Sequence, residues 1–142
     1  MKIPALVLFP VLISCESVPP GPPLPSPVRF ELRLSDAAFE RSVEITVEES
    51  GRIKEFMKRS LLRDVRRHGR LSSEQMGELA SLLGRFAQSA PLAPPAGIVW
   101  GVLQYGDKQA AWGKDAVLPP ELAALVKWLR TTADDFPLDR DR

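Results

Sequence analysis

The chain has very few of the residues from which active sites are usually built. Cys15 is the one cysteine among 142 residues, so no internal disulfide can form. His68 is the one histidine, which leaves no material for a His-rich metal centre or a His-based triad. With Arg66, Arg67 and Arg70 around it, that histidine reads as part of a solvated basic stretch. HExxH, GxSxG, the P-loop and GxGxxG are all absent. A surplus of one charge is lacking too. Nineteen basic residues stand against 18 acidic ones, which gives no case for a nucleic-acid binder. The longest apolar stretch, Ile3 to Ile13, carries Pro4 and Pro10 and is about half the ~20 residues needed to span a bilayer as a helix. The expectation is a non-catalytic protein with neither cofactor nor metal.

What is present begins at the amino terminus. Lys2, the apolar run and the small residue Ser14 have the layout of a secretory signal. Leu12-Ile13-Ser14-Cys15 resembles the lipobox of bacterial lipoproteins. That resemblance implies that residues 1–14 are a signal peptide and that cleavage falls before Cys15. It also implies a palmitate-type lipid on the Cys15 thiol and a membrane contact made through that lipid. Glu16 in the next position points to the outer membrane, facing the periplasm. Each buried methylene contributes ~0.8 kcal/mol, so two or three acyl chains hold a domain stably. Residues 15–27 follow as a tether, with six prolines between Val18 and Pro27. Such a stretch favours polyproline II, and at ~3.1 Å per residue Glu16 to Pro27 reaches roughly 35 Å.

The remainder has the length and hydrophobic content, 44%, of one globular domain. Val28 to Leu34 alternates apolar and charged residues, the pattern of a half-buried strand. Val43 to Glu48 alternates again with β-branched residues. Ser50-Gly51 reads as a tight turn. Beyond it, Ile53, Phe56, Met57, Leu61 and Val65 fit a helix, while Ile53, Glu55 and Met57 also fit a strand. Residues 52–68 are open between the two, with a strand preferred over Arg52–Met57. Ser72 and Gln75 form a capping box, with Leu71 and Met76 as its hydrophobic staple. Met76, Leu79, Leu83 and Phe86 continue as a helical stripe. Close packing on a sheet is one reason for Gly77 and Gly84 to sit in that helix.

A strand from Ile98 to Tyr105, a Gly106-Asp107 turn and a return strand from Gln109 to Lys114 come next. Trp100, Trp112 and Trp128 are expected in the core. Pro119-Pro120-Glu121 opens a second helix with Leu122, Leu125, Val126 and Leu129 as its buried stripe. The expected fold is α+β: a small antiparallel sheet of four to five strands with two amphipathic helices on one face, over residues 28–133. Residues 134–142 are expected as a frayed charged tail.

Phe30-x-Leu32, Asp36-Ala37-Ala38-Phe39, Val43-x-Ile45-x-Val47, Gly51, Leu71-Ser72-Ser73-Glu74 and Pro119-Pro120-Glu121-Leu122 together resemble emfourin-type inhibitors of thermolysin-like metalloproteases. That family usually has Gly-Gly-Phe where Ala37-Ala38-Phe39 stands. The resemblance implies an inhibitory contact near Phe39.

One charge pattern breaks the neutral total. Arg52, Lys54, Lys58, Arg59, Arg63, Arg66, Arg67 and Arg70 crowd into 19 residues against Glu55 and Asp64. A solvated face paired with Glu44, Glu48 and Glu49 is the plainest account. An acidic protein partner is the functional one. Anionic lipid is disfavoured, because surface attraction fades over a Debye length of ~8 Å, well short of the tether's reach. The sequence thus predicts a tethered envelope protein that presents a protein-binding domain; a structural role in envelope assembly is the further alternative.

Overall fold

The computed structural model describes residues 22–35, 40–60 and 62–139. Leu12, Ile13, Ser14 and Cys15, the tether before Pro22, and Ala37-Ala38-Phe39 lie outside the described residues. Alternation sets the first strands. β1 (Val28–Ser35) buries Val28 and Phe30, and β2 (Glu40–Val47) buries Val43, Ile45 and Val47. β3 (Arg52–Arg59) returns after Gly51, whose φ of +97° is a left-handed value that favours glycine. A side chain at 51 would also press on the Met76 sulfur. The open choice over residues 52–68 resolves to strand over Arg52–Arg59 and again from Val65. β4 (Val65–Arg70) pairs antiparallel with β3 and is a strand that the sequence reading did not contain.

The capping box forms in full. The Gln75 N–H donates to Ser72 Oγ (3.1 Å), and the Ser72 N–H donates to Gln75 Oε1 (2.9 Å). It starts α1 (Ser73–Gln88), which buries Met76, Leu79, Leu83 and Phe86. Gly77 and Gly84 pack against nothing: both are exposed, and a Cβ at either would meet no neighbour. Close packing on the sheet is not their reason. β5 (Gly101–Tyr105) and β6 (Lys108–Trp112) join through Gly106-Asp107, with Gly106 at φ +60°. β5 starts at Gly101 rather than Ile98, and Ile98 and Val99 are exposed. α2 (Pro120–Ala133) begins on proline and buries Leu122, Leu125 and Leu129.

Among the described residues the sheet has six strands in the order β4-β3-β2-β1-β5-β6, every neighbouring pair antiparallel. The α+β class with two helices holds, and β4 brings the sheet above the four to five strands expected. Register divides the sheet into two faces. Phe30, Ile45 and Leu103 share a row on the helix side and join one core with the stripes of both helices. Trp112 belongs to that core. It stacks on Phe30 with ring centroids 6.4 Å apart, and its indole lies where a side chain at Gly101 would be. Trp128 is half-buried and donates to Glu78 on α1 at 3.1 Å.

The packed unit reaches beyond residues 28–133 at both ends. Leu24 is 5% exposed and its N–H donates to the Glu49 carbonyl. Beyond α2 the described residues of the expected tail do not fray. Asp134–Asp139 turns back onto β4, where Leu138 bridges to Arg67 and the Asp139 N–H donates to the Arg66 carbonyl (2.8 Å).

Candidate partner-binding surface

The helices cover one face of the sheet, and among the described residues no helix covers the other. Side chains alternate across a strand, so strand parity sorts the basic stretch. Ile53, Glu55, Met57 and Arg59 of β3 point to the helix side, as do Val65, Arg67 and Gly69 of β4. Arg52, Lys54 and Lys58, with Arg66 and Arg70, fall on the helix-free face, where Arg52 stands opposite Arg70. The eight basic residues singled out from the sequence are therefore not one patch. Five stand together on the open face. Arg59 and Arg67 lie on the opposite side, and Arg63 is in the exposed β3–β4 connection, where its carbonyl accepts the Arg59 guanidinium (2.6 Å).

The expected neutralisation is thin. Lys54 meets Glu48 at 3.6 Å, with both side chains about half-exposed, and such a surface pair is worth ~0–1 kcal/mol. Glu44 stands opposite Phe56 rather than a cation. Among the described residues, Arg52, Lys58, Arg66 and Arg70 meet no carboxylate within ion-pair distance. The Arg66 guanidinium instead lies 4.6 Å from the centre of the half-buried Phe56 ring. A cation–π contact at an exposed site contributes ~0.5–1 kcal/mol and leaves the charge free for a second partner. Arg52, Lys54, Phe56, Arg66 and His68 border a depression of about 400 Å³, with Asp139 and Glu55 also in its lining. Its lining combines cations, an aromatic face and an imidazole that already meets the Asp139 carboxylate.

His68 is exposed, as expected, but it is not simply solvated: its Nδ1 meets the Asp139 carboxylate. Glu55 is the buried charge of the region, 4% exposed on the helix side. Burial pushes its carboxyl above the usual range; the Asp134 carboxylate adds to the shift, while Arg67 and Arg130 oppose it. Arg67 Nε stands 3.3 Å from Glu55 Oε1, close enough for ion pairing but not aligned as a hydrogen bond.

The open face has a second depression of about 400 Å³ over β2, β1 and β5. Glu31, Arg33, Ser42, Glu44 and Trp100 border it. Trp100 is thus not in the core: its ring lies 6.0 Å from the Arg33 guanidinium and 5.3 Å from the Lys114 ammonium. Sequence reasoning missed Asp139 and Phe136, which complete the β4 region from the far end of the chain. No protein-family model matches the chain, and no curated protein aligns with it.

Proposed function

We propose that this chain is a lipid-anchored protein of the bacterial cell envelope that presents a non-catalytic domain to an acidic surface on another protein. The lone cysteine, placed in Leu12-Ile13-Ser14-Cys15, supports the anchor, and Glu16 supports the outer membrane, facing the periplasm. The observation that carries the binding half is the row of Arg52, Lys54, Lys58, Arg66 and Arg70 on a helix-free sheet face. Cations held side by side repel one another unless something anionic covers them. A protein partner with complementary charge is steered in faster and held in register.

Two measurements test the reading. Cells fed labelled palmitate should label the wild-type chain and hold it in the membrane fraction, while Cys15→Ala should lose both; labelled Cys15→Ala refutes the anchor. A triple variant, Lys54→Glu with Lys58→Glu and Arg66→Glu, should lose its co-purifying protein partner, and wild-type capture should weaken steeply with salt. An unchanged partner at unchanged salt sensitivity rules out this face.

A further inference from the structure

The outer edge of a sheet offers unpaired backbone groups to any strand that approaches, and proteins manage that hazard by covering it. Here the β4 edge is covered by the chain's own segment beyond α2, and the cover is built like a bound peptide. Four contacts define it. The Phe136 ring occupies the space a side chain at position 69 would take, so glycine there is a socket. The Arg67 guanidinium donates to the carbonyl of Phe136 (2.8 Å) and to that of Asp134 (3.4 Å). The Arg66 carbonyl accepts the Asp139 N–H across the antiparallel bridge. The Asp139 carboxylate meets His68 at the mouth of the basic depression.

We propose that the outer edge of β4 is a strand-addition site for an extended acidic peptide of a partner protein, with an aromatic residue three places before a carboxylate. Phe136–Asp139 is the chain's own occupant, which such a partner displaces. β-strand addition takes affinity from main-chain bonds and specificity from sockets for alternate side chains. This edge supplies both. Charge favours the replacement, because a longer acidic strand running past Arg70 and Arg66 reaches cations that the short segment leaves without carboxylates. The hold of the internal occupant is small: Pro137 has no N–H to give, and Leu138 is 54% exposed. The inference rests on the proposal that the basic end of the sheet meets a protein, and it names where and how.

The test uses the whole chain and a fluorescent synthetic peptide of its own residues 134–139, Asp-Asp-Phe-Pro-Leu-Asp. A covalently linked occupant competes at an effective concentration of about millimolar, so wild type should bind the peptide weakly. Phe136→Ala, which frees the socket, should bind it at least tenfold more tightly, with a single cooperative urea transition of unchanged m-value as the folding control. A peptide with alanine in place of its phenylalanine should lose that gain. Gly69→Ala combined with Phe136→Ala should lose it too, since the socket is then filled. Equal binding by wild type and Phe136→Ala, or by the two peptides, overturns the proposal. Concentration-dependent dimers of the wild type that Phe136→Ala abolishes also overturn it, by making a second copy the occupant. If the peptide binds as expected while the charge-reversed triple variant still captures its protein partner, the edge stands and the open face falls.

Discussion

Alanine at Gly77 and Gly84 is expected to stabilise the fold, and alanine at Gly101 to destabilise it. Gly77 and Gly84 lie inside α1 on its exposed side, where a Cβ would meet nothing within 4 Å beyond the helix's own adjoining backbone and chain neighbours. Glycine in a helix interior costs ~0.8–1.0 kcal/mol relative to alanine, so the double variant should gain about 2 kcal/mol. The two sites share no contact, which makes their effects additive. Gly101 is the opposite case. A methyl there would run into the Trp112 indole, which is 6% exposed and stacked on Phe30. Making room for it amounts to overpacking, which costs ~1–3 kcal/mol. Urea denaturation separates the outcomes. With an m-value of ~2 kcal/mol/M, the α1 double variant should raise the midpoint by about 1 M and Gly101→Ala should lower it by about 0.5–1.5 M. The m-values should stay unchanged. A double variant no more stable than wild type, or a neutral Gly101→Ala, would refute this account of where the glycines are needed.

The other expectations concern single side chains. Glu55 has its pKa raised in the fold, chiefly by burial. Its stabilising contribution is therefore full below pH ~4.3 and is lost as pH rises through the folded pKa. Glu55→Gln should flatten that decline and leave the protein at least as stable as wild type at pH 7, read from urea midpoints between pH 4 and 7. An unchanged pH slope would count against it. Ser72→Ala removes the side-chain acceptor for the Gln75 N–H and should cost ~1 kcal/mol, seen as a lower midpoint at constant m. Loss of palmitate from Cys15→Ala and the peptide response of Phe136→Ala complete the set.

Where alternation or capping wrote itself locally, the sequence sufficed. β1 and β2 carry their apolar residues on one parity, and Ser72 with Gln75 marks the start of α1 by itself; β3, with Phe56 on the opposite parity to Ile53 and Met57, stayed open between strand and helix. β4 could not be found that way. Its helix-side positions are Val65, Arg67 and Gly69: one apolar residue, one charge paired to Glu55, and one position with no side chain at all. The missing apolar group at 69 comes from Phe136, 67 residues away. A strand whose buried side chain belongs to another segment leaves no period to detect. The same fact hid the fate of Asp134–Asp139, whose composition reads as solvent-loving while Phe136 and Arg67 hold it down. The candidate surface was half legible. Its cations are plain in the sequence, but only register separates the five on the open face from Arg59 and Arg67 behind it.

The way the polypeptide enters the sheet has a mechanical consequence. Any pull transmitted through the residues before Leu24 reaches the fold at β1, an interior strand bonded to β2 along Val28–Ser35 and to β5 along Val28–Leu32. Tension directed along that strand strains both rows of backbone bonds in parallel instead of peeling them one by one from a free margin. Leu24, pegged into the core and bonded to Glu49, takes up the first of that load, like a knot tied just before the rope meets the cleat.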